Sequence, residues 1–595
     1  MKKIFSILPL LALCTFMFSQ DPLPRGFAEG EMEKMRDYLT QAQSRSFACE
    51  ELPENATFRT MAEWEELDAL VITWAAHSQI LTEIVRAAQE EVTVIIVTNN
   101  PSSVQTTLSN AGVNPDLNIE YVQRNYDSIW VRDYGPNTVY QDGIGERAIV
   151  DWIYNRPRPL DDTVPEAVAD LMGDPMYCTT TAPEDLVHTG GNFMSDGMGR
   201  AFSSELVLEE NGPDNNWGTS NHSNEEIDSI MSKYMGIESY PKLDNLPWDV
   251  IHHIDMHMKL LDEETLLVGE YPEGIADGPQ IEANIQFILS NFIAPSGNPY
   301  RVIRVPMPPD ADGNYPEYPG NQWWLAGDYR TYANAVFVNK TILVPTYEEQ
   351  YDTTGLRIWE EAMPGYNIVG INSNAIIPSL GAIHCITKEV GTSEPLLVNH
   401  LRPRTLCHDE NNRLEVSADH ISGIDKVNLH FRLQGELEFT MQEMEFDLSA
   451  GKYFSEFSTG GADGSNLEYY FEAIANDGKS INRPLPAPVG YFSVPLEQCA
   501  PTSASEEISV AGEMKVFPNP AAEITFIEID LSENFEGRLV LLDIMGKEIR
   551  TIKQGEFSPG MQKHFFDAAT IPAGIYIVQL QKNQQTIRSQ KLAIK

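Results

Sequence analysis

Cys385, in the run GAIHCIT, is the residue of this chain best suited to attack a cationic carbon. The chain upstream contains the partners that such a thiol would need, in the segments Trp130–Gly135 (WVRDYG), His253–Asp255 (HID) and Thr331–Asn334 (TYAN). A guanidinium is planar and always protonated at neutral pH, so a pocket that removes it from water must supply carboxylates in its plane. Asp133 and Asp255 are the candidates. Together these segments indicate cysteine chemistry on a guanidinium group.

The central carbon of a guanidinium is a poor electrophile, and this chemistry therefore requires a soft, strong nucleophile such as a thiolate. Cys385 fills that role, and a bound cation beside the sulfur would lower the pKa of the thiol. An imidazole would deliver a proton to the departing ammonia and later take one from the attacking water. His253 is the candidate for this acid and base role.

The segment around His253 also has a metal-binding interpretation. On a strand, His253, Asp255 and His257 would project from one face, as metal ligands do. A catalytic zinc usually has three protein ligands and an open position, and a cysteine nucleophile with two carboxylates would make the metal redundant. We therefore expect neither a metal nor an organic cofactor.

Residues 60–390 resemble the guanidine-modifying superfamily that holds agmatine deiminases and bacterial peptidylarginine deiminases. The resemblance rests on separated motifs in the same order: Met61–Glu65, Asp127–Pro136, Thr189–Asn192, His253–Asp255, Asn334 and Ile383–Cys385. It implies that Asp133 and Asp255 hold the guanidinium, that His253 is the acid and base, and that Cys385 is the nucleophile. It also implies that Asn334 lies beside the site.

A further segment, Ile153–Pro159 (IYNRPRP), separates two branches of that superfamily. It places Arg156 and Arg158 two residues apart, between prolines that stiffen the backbone. The segment resembles that of secreted bacterial peptidylarginine deiminases, in which two arginines clamp the α-carboxylate of a C-terminal arginine. Agmatine has no carboxylate, so such a pair would be wasted on it or would repel it. Trp130 would form an aromatic wall against the substrate.

We therefore predict a hydrolase that converts arginine in peptides or proteins to citrulline, with C-terminal arginine as the expected substrate. Arg156 and Arg158 would instead be a solvated pair if they lay on an exposed Pro-rich loop. Two other functions remain open. An agmatine or free-arginine deiminase would use the same five residues. A non-catalytic surface adhesin on a degenerate enzyme domain is disfavoured because no residue of the inferred set is missing.

The two ends of the chain indicate export. Residues 1–20 have the pattern of a signal peptide, with two lysines, an apolar run through Phe18 and a cleavage site near Ser19. Residues 515–595 contain short strand-like runs with turn punctuation. They resemble the C-terminal sorting domain of the type IX secretion system, which implies that secretion machinery as a partner and a secreted or cell-surface location. No later segment reaches the roughly 20 apolar residues of a membrane helix.

The length of 595 residues is too great for one core, and three folded units are expected. Residues 51–395 alternate strand-like runs, such as Val92–Val97 and Thr341–Pro345, with amphipathic helical runs such as Ile80–Gln89. This alternation predicts an α/β domain, and the resemblance implies a pseudo-fivefold α/β propeller. Residues 396–499 have the alternation and length of an immunoglobulin-like β-sandwich of about 100 residues, with Cys407 and Cys499 as a candidate disulfide at its ends. Residues 500–514 are a candidate linker to the sorting domain, which the pattern predicts to be a small β-sandwich.

The net charge of −46 argues against nucleic acid as a partner and is compatible with cationic substrates.

Overall fold

The computed structural model of the protein describes residues 23–44, 49–213, 215, 219–317, 326–408, 411–459, 464–498, 511–521, 524–531, 534–543, 547–582 and 585–595. The predicted signal peptide, residues 1–20, lies outside these ranges, as do residues 500–510 of the predicted linker. The chain divides into two compact units, residues 1–498 and 499–595. No helix among the described residues is long and apolar enough to cross a bilayer.

Between Phe58 and Gly391 the larger unit contains five small mixed sheets. The first contains Phe58–Thr60, Asn137–Gln141, Arg147–Tyr154, Met176–Thr179 and Val187–His188. The second contains Met194–Ser195, Ala201–Ser204 and Lys242–Leu243. The third contains Met258–Asp262, Thr265–Glu270 and Arg301–Pro306. The fourth contains Val336–Val338, Thr341–Thr346 and Asn367–Asn372. The fifth contains Lys388–Gly391, Leu67–Thr73, Thr93–Thr98 and Ile119–Gln123.

The five sheets repeat one arrangement. In each sheet an antiparallel pair is extended by a parallel strand that follows a helical crossover. The crossover helices, in sheet order, are Val164–Met172, then Leu206–Asn211 with Asn224–Met235, Gly278–Asn291, Glu349–Ala362 and Ser78–Ala88. Parallel neighbours require such a crossover because a tight turn can join only antiparallel strands. The α/β class predicted for this region is therefore confirmed.

The apolar composition of two strands of the fifth sheet explains why they are buried. Leu67–Thr73 and Thr93–Thr98 are buried almost throughout, as expected for β-branched runs covered on both faces. The helix Ser78–Ala88 buries Ile80, Leu81, Ile84 and Val85, the i, i+4 stripe of an amphipathic helix. The predictions of a strand near residues 92–97 and of a helix near residues 80–89 are confirmed.

The fifth sheet joins the two ends of this region. Its strand Lys388–Gly391 pairs antiparallel with Leu67–Thr73, about 320 residues earlier in the chain. The buried ion pair between Arg132 Nη2 and Glu389 Oε2, at 2.5 Å, adds a second link. Residues near Cys385 are thereby held against residues near Asp133.

Two further sheets form the region 397–497. One contains Leu397–Asn399, Asn411–Asp419, Lys452–Ser458 and Glu445–Asp447. The other contains Leu406–Cys407, Phe492–Glu497, Asn466–Ala475, Ile424–Leu433, Thr440–Glu443 and Ser480–Arg483. Alternate residues of the strands point into a shared apolar core that includes Val427, Leu429, Tyr469 and Phe471.

The second unit contains a three-stranded and a four-stranded antiparallel sheet. The first consists of Ala511–Phe517, Ile524–Leu531 and Gly560–Asp567. The second consists of Glu548–Phe557, Phe535–Asp543, Gly574–Lys582 and Gln585–Ile594. The first strand of this unit begins at Ala511, within the last residues of the predicted linker.

A disulfide that the sequence did not reveal joins Cys49 to Cys178. Cys178 lies in the strand Met176–Thr179 of the first sheet, so the bond fixes the chain just after the N-terminal helix Met35–Ser44. Cys407 is also disulfide-bonded, but its predicted partner Cys499 lies outside the described residues.

Candidate active site

The predicted site residues come from one repeated position in the fold. Short turns immediately precede the first strand of the second to fifth sheets and the strand Asn137–Gln141 of the first. In chain order these turns are Val131–Tyr134, Gly190–Asn192, Ile254–Met256, residues 330–335 and His384–Ile386. The turn Val131–Tyr134 packs against Gly190–Asn192 and His384–Ile386, and Gly190–Asn192 packs against Ile254–Met256. The five candidate residues Asp133, His253, Asp255, Asn334 and Cys385 are thereby brought together.

The guanidinium of Arg25, a residue that the sequence analysis overlooked, lies between the two predicted carboxylates. Asp133 accepts from Nε at 3.0 Å and from Nη2 at 2.9 Å. Asp255 accepts from Nη1 at 3.1 Å and from Nη2 at 3.0 Å. Each carboxylate makes a bidentate contact with one edge of the group, the geometry that matches a planar fork. Arg25 is 0% exposed, and its guanidinium fills the space between the two carboxylates.

The sulfur of Cys385 lies 2.6 Å from Nη1 of Arg25. It also lies 3.3 Å from Oδ1 of Asn334 and 3.7 Å from Oδ2 of Asp255. Burial raises the pKa of the Cys385 thiol, and this effect outweighs the lowering by Arg25. The cation acts in the expected direction, but in this closed site the net shift of the thiol pKa is upward.

His253 is fully buried beside the carboxylates, with Nδ1 3.5 Å from Oδ1 of Asp133. Among the described residues neither ring nitrogen has a hydrogen-bond partner. Burial and the nearby Arg25 cation lower the pKa of His253 to about 3, despite the opposing effect of Asp133 and Asp255. With Arg25 bound, the imidazole is therefore neutral at physiological pH.

The carboxylates themselves remain ionised. Burial alone would raise the pKa of Asp133 and of Asp255, but the Arg25 cation outweighs it and holds both below their usual range. For Asp255, a hydrogen bond with His384 acts in the same direction. An occupied cation site is thus the electrostatic condition under which two buried carboxylates coexist.

The metal-binding interpretation required residues 253–257 to form a strand, and the structure has a turn there instead. His252 has a φ of 55°, and Ile254–Met256 forms a helical turn, so His253, Asp255 and His257 do not alternate along one face. Within the described part of the chain, three potential metal ligands converge within 4.8 Å only at Glu394, His420 and Asp477.

Gly191 leaves the space that the guanidinium fills. A Cβ at this position would lie 1.7 Å from Nη2 of Arg25 and 2.8 Å from both Asp133 and His253. At Gly190, a Cβ would lie 2.1 Å from the carbonyl oxygen of Arg132. The two glycines are therefore required by the close approach of the site groups.

Trp130 is fully buried, and its role as an aromatic wall stays a prediction. Its indole Nε1 donates to the carbonyl oxygen of Leu23 at 2.8 Å. A Cβ at Gly381 would lie 2.5 Å from Cζ3 of the indole and 3.1 Å from Sγ of Cys385. Gly381 thus allows the ring and the thiol to lie close together.

Arg156 and Arg158 are buried and do not form a solvated pair. Arg156 Nε donates to the carbonyl oxygen of Arg25 at 3.1 Å. Arg158 pairs with Glu31 and donates from Nη2 to the carbonyl oxygens of Pro24 and Gly26, at 2.8 and 2.9 Å. Both arginines therefore bind the main chain on either side of the bound guanidinium.

Two further site residues were within motifs used above but had no assigned role. His384, next to Cys385, has Nδ1 2.8 Å from Oδ2 of Asp255 and Nε2 3.1 Å from Glu63. Glu63, in the motif Met61–Glu65, also pairs with the buried Lys259. Glu63 and His384 lie far from Asp255 in the sequence, so no local pattern predicted this network.

Comparisons with known proteins identify the families that two parts of the chain match. Residues 59–390, more than half of the chain, match the family of Porphyromonas-type peptidyl-arginine deiminases. Residues 515–595 match the secretion system C-terminal sorting domain, which indicates type IX export to the cell surface or beyond.

Individual relatives cover the same region. An agmatine deiminase of Ectopseudomonas mendocina is 26% identical over 301 residues, which are 46% of this chain and 77% of the relative. The solved structure of the agmatine deiminase of Enterococcus faecalis is 19% identical, with a TM-score of 0.48 over 58% of this chain and 100% of that one. On the family match, the chain belongs to the Porphyromonas-type peptidyl-arginine deiminases, enzymes that hydrolyse C–N bonds of amidines.

Proposed function

We propose that this exported enzyme hydrolyses the guanidinium of peptidyl arginine to the ureido group of citrulline, with release of ammonia. The observation that carries the proposal is the placement of one guanidinium against Asp133, Asp255 and Cys385, with the sulfur 2.6 Å from Nη1. Carboxylates on two edges orient the group, and the thiol lies beside it. Such positioning supplies the proximity on which a covalent mechanism depends.

In this mechanism His253 takes the proton of the Cys385 thiol, and the resulting thiolate adds to the guanidinium carbon while Asp133 and Asp255 hold the nitrogens. The neutral tetrahedral adduct expels ammonia with a proton delivered by His253, and a cationic thiouronium remains on the sulfur. His253 then takes a proton from water, which attacks the same carbon. The C–S bond breaks, and citrulline leaves.

Asn334 has a positioning role in this scheme. Its amide donates to the carbonyl oxygen of Asp255 at 3.1 Å, and its Oδ1 accepts from the amide of His384 at 3.1 Å. The same Oδ1 lies 3.3 Å from the Cys385 sulfur. Asn334 therefore links the turn that carries Asp255 to the turn that carries the nucleophile Cys385.

The substrate that we propose is a peptide ending in arginine, and Arg156 supports this choice. Its guanidinium is buried and stacks on Phe27 with its carbon 4.3 Å from the ring centroid, but among the described residues it lies within ion-pair distance of no carboxylate. A buried unpaired cation is costly, and the α-carboxylate of a C-terminal arginine would compensate it. One carboxylate oxygen would occupy the position of the Arg25 carbonyl oxygen.

Three substrates test the proposal: a peptide ending in free arginine, its amidated twin and agmatine. Arg25→Ala should be the parent enzyme, so that the site starts unoccupied. The free-carboxylate peptide should be preferred, and Arg156→Ala should reduce kcat/KM for it by about thirtyfold, or roughly 2 kcal/mol, because a charge-assisted contact is lost. Arg86→Ala, which removes an exposed arginine of the helix Ser78–Ala88, is the matched control and should leave the preference unchanged.

Agmatine is the second candidate substrate, because named relatives are agmatine deiminases. A clear preference for agmatine would establish the small-molecule reaction instead. Cys385→Ala should abolish citrulline release in either case, and full activity of that variant would disprove the cysteine mechanism. Activity on none of the substrates would favour the non-catalytic adhesin.

We further propose that the five repeated sheets are the blades of a pseudo-fivefold α/β propeller. The shared strand order and the common position of the site turns support it. The region 396–499 would be an immunoglobulin-like domain, for which the two sheets around one core provide support.

A further inference from the structure

The main chain of Arg25 is held at two points in addition to its guanidinium. Its amide donates to the carbonyl oxygen of Ser379 at 3.0 Å, and its carbonyl oxygen accepts from Nε of Arg156 at 3.1 Å. Its guanidinium is fixed by Asp133 and Asp255. A substrate arginine that pairs with the same carboxylates and places one α-carboxylate oxygen at Arg156 would follow the same path. The residues before Arg25 therefore mark where the preceding residues of a substrate peptide would lie.

Two donors meet the main chain just before Arg25. Nη2 of Arg158 donates to the carbonyl oxygen of Pro24 at 2.8 Å. The indole Nε1 of Trp130 donates to the carbonyl oxygen of Leu23, also at 2.8 Å. Every peptide has main-chain carbonyls whatever its side chains are. These two contacts would therefore select for the length of the chain before arginine and not for its sequence.

Trp130 is held rigidly in this position. It is fully buried, and its carbonyl oxygen accepts from the amide of Asp133 at 3.0 Å, so the indole and a carboxylate of the guanidinium site belong to one turn. Gly381 leaves room for the ring, because a Cβ there would lie 2.5 Å from Cζ3. The indole N–H is thus a preorganised donor, and a buried donor that loses its acceptor is costly.

A groove lies beside Leu23. It is lined by Leu23 together with Ala75, Tyr126, Ser128 and Ile129, among other residues. Ser128 and Ile129 immediately precede Trp130 in the chain, so the groove adjoins the residue that carries the indole. A peptide that is longer than Leu23–Arg25 would therefore have space to continue beyond the position of Leu23.

We infer that the indole N–H of Trp130 is a specificity determinant that binds the carbonyl oxygen two residues before the arginine of the substrate. The inference rests on the proposed deiminase function and deepens it, because it names the substrate class. Free arginine and agmatine have no carbonyl at that position, and a dipeptide with a free amino group has none either. The enzyme would therefore act at the ends of longer peptide or protein chains.

Two peptides that differ at this carbonyl test the inference: acetyl-Pro-Arg and Pro-Arg, both with a free α-carboxylate. The acetyl oxygen of the first takes the place of the Leu23 carbonyl oxygen, and proline keeps the residue position of Pro24. The measured quantity is the ratio of kcat/KM for the acetylated peptide to kcat/KM for the free one. This ratio should be about fivefold larger in Arg25→Ala than in Arg25→Ala combined with Trp130→Phe, because one hydrogen bond is lost.

The ratio isolates the indole contact from other effects of the substitutions. Any remaining binding of the N-terminal segment lowers kcat/KM for both peptides by the same factor, and so does any loss of active enzyme. The charge of the free amino group is the same in both proteins. Trp359→Phe in the Arg25→Ala enzyme is the matched control, since it removes a buried indole N–H that donates to the carbonyl oxygen of Tyr332 at 2.9 Å. It should leave the ratio unchanged.

A second measurement does not depend on the folding of the Trp130 variant. Arg25→Ala combined with Cys385→Ala should bind acetyl-Pro-Arg without turnover. A crystal structure of this complex should place the acetyl oxygen within hydrogen-bond distance of Nε1 of Trp130. An acetyl group that lies away from the indole would overturn the inference.

The kinetic outcomes separate this inference from the proposed function. Hydrolysis of both peptides with the same ratio in the Trp130 and Trp130→Phe enzymes would overturn the inference and leave the deiminase function intact. Hydrolysis of neither peptide by Arg25→Ala would overturn the proposed peptide substrate and, with it, the inference.

Discussion

His384 and Asp255 are joined by a contact of 2.8 Å between Nδ1 and Oδ2, next to the nucleophile and inside the carboxylate pair that holds the guanidinium. The other ring nitrogen lies 3.1 Å from both carboxylate oxygens of Glu63. Since Glu63 also pairs with Lys259, a buried chain of charges extends from the core to the site. Asp255 is therefore oriented by a residue that does not touch the guanidinium.

Glu63→Gln should weaken the contacts among Asp255, His384, Glu63 and Lys259. The substitution leaves the Lys259 ammonium buried without its carboxylate, and removing one partner of a buried pair costs about 3–5 kcal/mol of unfolding free energy. Loss of orientation at Asp255 should also raise KM more than it lowers kcat. Urea denaturation and steady-state kinetics measure the two effects. Glu65→Gln, two residues away and paired with Arg59, is the control and should leave KM unchanged.

Gly191→Ala should exclude the guanidinium from the site. The new methyl group would lie 1.7 Å from the position of Nη2, between Asp133 and His253, and these groups cannot withdraw without breaking the site. We expect kcat/KM to fall by at least about a hundredfold, or roughly 2.7 kcal/mol. Gly574→Ala in the sorting domain has ordinary contacts of 3.4 Å or more and serves as control. Activity near the wild-type level would contradict the placement of the guanidinium.

Removal of the Arg25 cation should raise the pKa of His253. Burial and Arg25 lower this pKa to about 3, whereas Asp133 and Asp255 act to raise it. In Arg25→Ala one lowering contribution disappears and the carboxylates remain, so the imidazole should take up its proton at a higher pH than before. The shift is measured by NMR titration of His253 in two proteins, Arg25→Ala and Cys385→Ala, of which the second keeps Arg25. His400 lies in the region 397–497, and burial lowers its pKa to about 3. It should titrate identically in both proteins.

Chelator treatment should leave activity unchanged. The two carboxylates engage a guanidinium in the closed site, and His253, Asp255 and His257 do not project along a common strand face. The measurement is citrulline release before and after dialysis against a strong chelator. Loss of activity that zinc or calcium restores would show that the acid and base work depends on an ion.

Loss of the disulfide between Cys49 and Cys178 should destabilise the larger unit. The bond closes a loop with a sequence separation of 129 residues, and chain-entropy arguments give such a link about 2–5 kcal/mol. The double variant Cys49→Ala and Cys178→Ala, which leaves no unpaired thiol at this site, should therefore unfold at a lower urea concentration. An unchanged midpoint would show that the link does not constrain the unfolded chain.

Some local elements of the fold follow from sequence patterns alone. Alternating and β-branched runs predicted the strands Thr93–Thr98 and Thr341–Thr346, because such runs suit a buried sheet. The apolar stripe of Ser78–Ala88 likewise predicted a helix. Local pattern did not predict the turn at residues 253–257, which follows the positive φ of His252.

The types of residue that could act on a guanidinium were also readable from the sequence. Thiol, carboxylates and imidazole are the groups that this chemistry requires, and the motifs around Asp133, His253, Asp255, Asn334 and Cys385 contain them. What each group faces was decided only by the tertiary structure. Arg25 and Cys385 are 360 positions apart, and Glu63 and His384 are 321 apart, so no periodicity or spacing links them. Their contacts exist because repeated sheets bring distant turns to one place, and the N-terminal segment fills the space between the carboxylates.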